Sequence, residues 1–100
     1  MEKERKLNSV FSSKIVRYTV APSTKWSVEK YTLMLTNGRG IIKEIKYPEA
    51  AVWDLISRSY TQEKVVKMLT YIVSCNQLEA NKIVKAALET WVKDGFLLKS

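Results

Sequence analysis

The chain offers little with which to do covalent chemistry. Ten of its 100 residues are acids, one is a cysteine and none is a histidine. General acid–base catalysis calls for paired carboxylates or an imidazole in a cleft. These acids are instead scattered over helical surfaces, where Glu89 reads as an i,i+4 partner of Lys85 and Lys93. Cys75 has no histidine to activate it, which excludes a Cys–His nucleophile. The same shortage leaves zinc or haem without ligands, so no cofactor is expected. Neither a P-loop nor a dinucleotide fingerprint occurs, and Asn37-Gly38-Arg39-Gly40 reads as a turn. A protein that binds rather than catalyses is the expectation.

Charge suggests what it would bind. The net charge of +7 is uneven: residues 1–47 carry ten Lys or Arg against four acids, and residues 48–100 carry seven against six. Such a field steers an acidic partner toward the N-terminal half, and a pI of 9.6 keeps nucleic acid in view. The hydrophobic 46% and charged 27% are those of a soluble globular domain rather than a disordered chain. No apolar run approaches the roughly 20 residues that span a bilayer, so no membrane partner is expected. Met1-Glu-Lys-Glu-Arg-Lys lacks the apolar region of a secretory signal, and the lone cysteine fits a reducing cytoplasm.

Local patterns divide the chain into a flexible tail over residues 1–14, in which Val10 and Phe11 could dock, and one domain over residues 15–100. Ile15 to Val20 is β-branched and aromatic, a first strand. Trp26 to Thr36 alternates, with Tyr31, Leu33 and Leu35 on one face and Val28, Lys30, Thr32 and Met34 on the other. Asn37-Gly38 between two apolar runs signals a hairpin, and Ile41 to Tyr47 returns. A two-residue loop would set Leu33 opposite Ile42, and a four-residue loop Leu35. Pro48 opens a first helix expected to end near Ser59, with Ala51, Val52, Leu55 and Ile56 on its stripe and Trp53 beside it. Thr61 caps a second helix with Glu63 in its first turn and Val65, Val66, Leu69, Ile72 and Val73 inward. Asn76 and Glu79 resemble a capping box for the third, which buries Ile83, Val84, Ala87, Leu88, Trp91 and Val92. Gly95 supplies the left-handed stop, after which Phe96, Leu97 and Leu98 close on the core. The expected architecture is α+β: a three-stranded antiparallel sheet followed by three helices, the order of a winged helix-turn-helix domain.

Two surfaces in this arrangement could recognise something. The outward face of the third helix carries Lys82, Lys85, Ala86, Glu89 and Lys93, and in a DNA-binding winged helix it would lie in the major groove. Base readout favours Arg, Asn or Gln backed by phosphate-contacting Lys. This helix has no Arg, and Glu89 would face phosphate, so DNA binding is the alternative reading. The other surface is the strand Ile41, Ile42, Lys43, Glu44, Ile45 and Lys46. At the edge of the sheet its free N–H and C=O groups form a template for β-augmentation by an extended peptide, and small Ala86 leaves room beside it. A pure interaction domain in a larger assembly, or a dimer formed through the same open edge, is a third possibility.

Residues 41–98 resemble the family of pyrroloquinoline quinone biosynthesis protein D, the PqqD-like domains also called RiPP recognition elements. The residues that carry the resemblance are Ala50-Ala51-Val52-Trp53-Asp54-Leu55-Ile56, Thr61-Gln62-Glu63-Lys64-Val65 and Trp91-Val92-Lys93-Asp94-Gly95-Phe96-Leu97. Where family members often carry Asn, this chain has Lys46-Tyr47-Pro48. The resemblance implies a non-catalytic, cytoplasmic chaperone of natural-product biosynthesis. Such a domain holds the leader segment of a ribosomally made precursor peptide as an added strand, between the third strand and the third helix. It presents that peptide to a modifying enzyme, often a radical SAM protein. Carried over by position, the peptide-binding residues would be Ile41, Ile42, Lys43, Glu44, Ile45 and Lys46 with Lys82, Lys85, Ala86 and Glu89.

Overall fold

The computed structural model of the protein describes residues 16–30 and 32–100. The tail expected over residues 1–14, together with Ile15 and Tyr31, lies outside them. Chain order is β1 (Tyr18–Val20), β2 (Lys25–Glu29), β3 (Thr32–Thr36), β4 (Ile42–Lys46), α1 (Glu49–Ser57), α2 (Gln62–Val73), α3 (Gln77–Asp94) and β5 (Leu97–Lys99). The protein is α+β, with a three-stranded antiparallel sheet ordered β2-β3-β4 and three helices, as expected.

The strands that build the sheet differ from the expected ones. Trp26 to Thr36 is not one strand: β2 and β3 run antiparallel, and Glu29 pairs with Thr32. A two-residue connection resets the alternation, so Trp26 stands opposite Leu35 and Val28 opposite Leu33, on the face that carries the leucines. Lys30 and Tyr31 contain none of the residues that announce a turn. The expected first strand does not join this sheet either. β1 pairs with β5 in a separate antiparallel ribbon that sets Tyr18 opposite Lys99 and Val20 opposite Leu97.

The β3–β4 connection follows neither expected register. Thr36 stands opposite Ile42 and Leu35 opposite Lys43. The Asn37 N–H donates to the Ile41 carbonyl at 3.2 Å, and the Gly40 N–H to the Asn37 carbonyl at 3.1 Å. The loop therefore has three residues, and the positive φ of +81° falls on Gly40, as in hairpins that end a tight turn with a left-handed residue.

The helices start and stop on short-range signals. α1 follows Pro48, whose carbonyl accepts from the Ala51 and Val52 N–H groups, and ends at Ser57, two residues before the expected Ser59. Thr61 Oγ1 accepts from Lys64 N at 3.2 Å to open α2, and Asn76 Oδ1 accepts from Glu79 N at 2.8 Å to open α3. At the end of α3 the Gly95 and Phe96 N–H groups bond the Val92 and Trp91 carbonyls at 3.1 and 2.8 Å. That is a Schellman motif, with Gly95 at φ +89° and Phe96 folded onto the core. Leu33, Leu35 and Ile45 of the sheet pack with Val52, Trp53, Leu55 and Ile56 of α1, Val65, Val66 and Leu69 of α2, and Val84, Leu88 and Trp91 of α3. Trp53, expected at the flank of the stripe, is fully buried, and Ile72 at the end of α2 is exposed.

Gly95 therefore tests this path directly. An added Cβ would adopt a left-handed conformation and meet the Arg39 guanidinium carbon at 3.0 Å. Gly95→Ala is expected to lower unfolding free energy by about 1–2 kcal/mol, read as a reduced urea midpoint with an unchanged slope.

Candidate functional site

α3 ends against the β3–β4 loop, and that junction sets up the site. The last carbonyls of a helix have no partners within it and carry partial negative charge. Here the Asn37 side chain, nearly buried at 6% exposure, donates to the Asp94 carbonyl at 2.6 Å. Its Oδ1 accepts from the Arg39 and Ile41 N–H groups at 2.9 and 3.1 Å. One amide thus holds the loop in shape and ties it to the helix end. Arg39 adds a contact to the Lys93 carbonyl at 3.4 Å, and Lys43 Nζ pairs with Asp94 Oδ2 at 2.8 Å.

Away from this junction β4 and α3 leave a groove of about 270 Å³ lined by Lys43, Glu44, Ile45, Lys46, Glu49, Ala86, Ala87, Thr90 and Trp91. Ile45, Ala87 and Trp91 are buried and form its floor. Beneath them the indole rings of Trp91 and Trp53 meet edge to face at 5.2 Å, and Trp53 meets Trp26 in the same way at 5.5 Å. Edge-to-face stacking gives the floor a fixed geometry. The volume is below the roughly 300–1,000 Å³ of small-molecule clefts. It is the size of one or two side chains.

The β4 edge supplies the other half. Within the described residues β4 pairs with β3 alone. The Asn37–Ile41 hydrogen bond fixes the phase of the ladder, so Lys43 and Ile45 bond to β3 while the N–H and C=O groups of Ile42, Glu44 and Lys46 point to the open side.

Of the residues expected at a peptide site, Lys43, Glu44, Ile45, Lys46 and Ala86 line the groove. The others do not. Ile41 lies in the loop and packs on the core, while the Ile42 side chain is 67% exposed on the opposite face of the sheet. Lys82 and Lys85 are exposed on α3 outside the lining, and Glu89 faces β1 and β5 beside Tyr18, Val92, Lys93 and Lys99. The ion pairs among the described residues are Lys43–Asp94 and Asp54–Arg58, so Glu89 does not make the expected pairing with Lys85 or Lys93. Sequence reasoning passed over Glu49, Ala87, Thr90 and Trp91. It took the helix face opposite the core, whereas the groove lies at the margin of the core stripe. Asn37 was read as a turn residue, and no local signal marks its bond to Asp94, 57 positions away.

Two larger hollows of about 450 and 660 Å³ flank α2, walled mostly by Thr61, Gln62, Glu63, Lys64, Lys67 and Gln77, with Val16 and Arg17 also lining the first. Among the described residues no group of three or more His, Cys, Asp and Glu could hold a metal, and no helix is long and apolar enough to cross a membrane.

Replacing Asn37 should loosen the junction. Asn37→Ala loses three part-buried hydrogen bonds, an expected cost of about 2–4 kcal/mol. Asn37→Asp should also destabilise, because it keeps the acceptor but loses the donor and sets a carboxylate against a helix C-terminus. Equilibrium urea unfolding of the two variants reads both effects.

No family model, curated protein or solved structure matches the chain.

Proposed function

We propose that the protein is a non-catalytic peptide-binding module of winged-helix type, which takes an extended segment as a fourth strand beside β4. The observation that carries this reading is the coincidence of two features in one place. The open-side backbone groups of Ile42, Glu44 and Lys46 run beside a groove floored by Ile45, Ala87 and Trp91. Strand addition needs both: main-chain hydrogen bonds for affinity and pockets at alternate positions for specificity. Ala86 and Ala87 leave space above the floor for a bulky apolar side chain.

The acidic partner expected from net charge finds less support at the groove itself. Lys43 is held by Asp94, and Glu44 and Glu49 stand on the rim with Lys46. Recognition would rest on the backbone and on one apolar anchor, with the +7 field acting at long range. The resemblance of the α1, α2 and α3 segments to RiPP recognition elements supports a leader segment of a precursor peptide as the natural ligand. By the same resemblance the client would be a modifying enzyme such as a radical SAM protein, and the compartment the cytoplasm.

Selection of short random peptides from a display library, followed by titration of the binders, tests this. Ala86→Trp fills the groove and should weaken binding at least about 10-fold, or 1.4 kcal/mol. Glu44→Pro removes a donor from the open side of an edge strand without breaking the β3 ladder, and a loss of about the same size is expected. Lys85→Ala, outside the lining, should change little. Binders indifferent to Ala86→Trp and Glu44→Pro would overturn the reading. So would an absence of peptide binders alongside tight duplex DNA binding that falls steeply with salt.

A further inference from the structure

The opposite edge of the sheet has its own unmatched chemistry, independent of the peptide reading. Every residue of β2 is exposed, including Trp26 at 42% and Val28 at 79%, although both point to the face that carries Leu33 and Leu35. Within the described residues β2 pairs with β3 alone. Lys25, Ser27 and Glu29 stand opposite Thr36, Met34 and Thr32, whose backbone groups point away from β4. Those three therefore bond to β3, and the N–H and C=O groups of Trp26 and Val28 face the open side.

From this geometry we infer that β2 is a self-complementary edge that pairs antiparallel with β2 of a second copy, about a twofold axis at Ser27. The sequence Lys25-Trp26-Ser27-Val28-Glu29 reads as its own complement when reversed. Overlap of all five residues sets Lys25 against the partner copy's Glu29 and Trp26 against its Val28, on opposite faces of the sheet. It also brings the outward backbone groups of Trp26 and Val28 into hydrogen-bonded pairs, while the two Ser27 residues meet at a non-hydrogen-bonded position. Lys25 and Glu29 take part in no ion pair among the described residues. A symmetric dimer uses one patch twice, so each favourable pair occurs in duplicate. Full overlap of β4 with its own copy would instead set Glu44 against Glu44, a like-charge pair at the axis. The β2 dimer is a continuous six-stranded sheet with both β4 grooves free at its ends.

Sedimentation equilibrium over a range of concentrations, near 0.15 M salt where a surface pair is partly screened but present, tests this. One strand per copy is a small interface, so a dimer with a dissociation constant on the order of micromolar is expected. Lys25→Glu and Glu29→Lys should each weaken it about 10-fold or more, because two attractive pairs become repulsive. An equimolar mixture of the two single variants, and the K25E/E29K double variant alone, should both recover dimer. These side chains are exposed, so the variants should keep the unmodified far-UV circular dichroism. A chain that stays monomeric at every concentration, single variants that dimerise like the unmodified chain, or a mixture that fails to recover dimer would each overturn the inference. Loss of the dimer on Glu44→Pro would place the interface on β4 and overturn it equally.

Discussion

The Asn37 side chain holds the two walls of the groove at a fixed spacing, and the geometry of the site depends on that bond. A helix C-terminus and a hairpin loop both present backbone groups that need partners. A carboxamide can meet both needs at once, since it donates from nitrogen and accepts at oxygen. Asn37 gives its N–H to the last turn of α3 and its oxygen to the loop that begins β4. Aspartate could do the second but not the first. Arg39 and Lys43 add positive charge at the same helix end, where the dipole favours it. The result is a junction from which β4 and α3 diverge, leaving between them a gap that their own side chains do not fill.

Why the gap stays open follows from residue size and from what lies below. Ala86 and Ala87 are too short to reach β4, and the paired rings of Trp53 and Trp91 hold the floor away from the strand. Closing the gap would require moving a close-packed core, and interiors at crystal-like density resist that. Edge strands carry a hazard of uncontrolled pairing, which charged residues limit. β4 carries Lys43, Glu44 and Lys46, and β2 carries Lys25 and Glu29. The arrangement of those charges differs: β2 alternates in a way that matches its own reversal, while β4 does not. The two edges of one small sheet therefore differ in the pairing that each charge pattern would favour.

How much of this was legible in the sequence depends on the range of each interaction. Thr61, Asn76 and Gly95 act within about one helical turn, so their positions announced the helix ends. The strands were harder. The reversal between Glu29 and Thr32 lacks Gly, Pro or Asn, and its trace in the sequence is a change of phase, from Trp26 and Val28 before it to Leu33 and Leu35 after it, too short on either side to stand out. β1 leaves the sheet because its partner is β5, at the far end of the chain, and Thr24 joins that closure through the Phe96 carbonyl, 72 positions away. Pairings this distant leave no local trace. At the site, Ala86 beside an open strand was readable from its size. Lys82, Lys85 and Glu89 lie outside the groove lining: helical periodicity identifies the face away from the core but not which margin of the core remains uncovered.

Amide hydrogen exchange along β4 tests the central claim most directly. The account predicts alternation in the free protein: the N–H groups of Ile42, Glu44 and Lys46 exchange quickly and those of Lys43 and Ile45 slowly, because only the latter bond to β3. Addition of a peptide selected for binding should slow the first three to the level of the other two. Uniform protection along β4 in the free protein, or a bound peptide that leaves Ile42, Glu44 and Lys46 exchanging quickly, would contradict it.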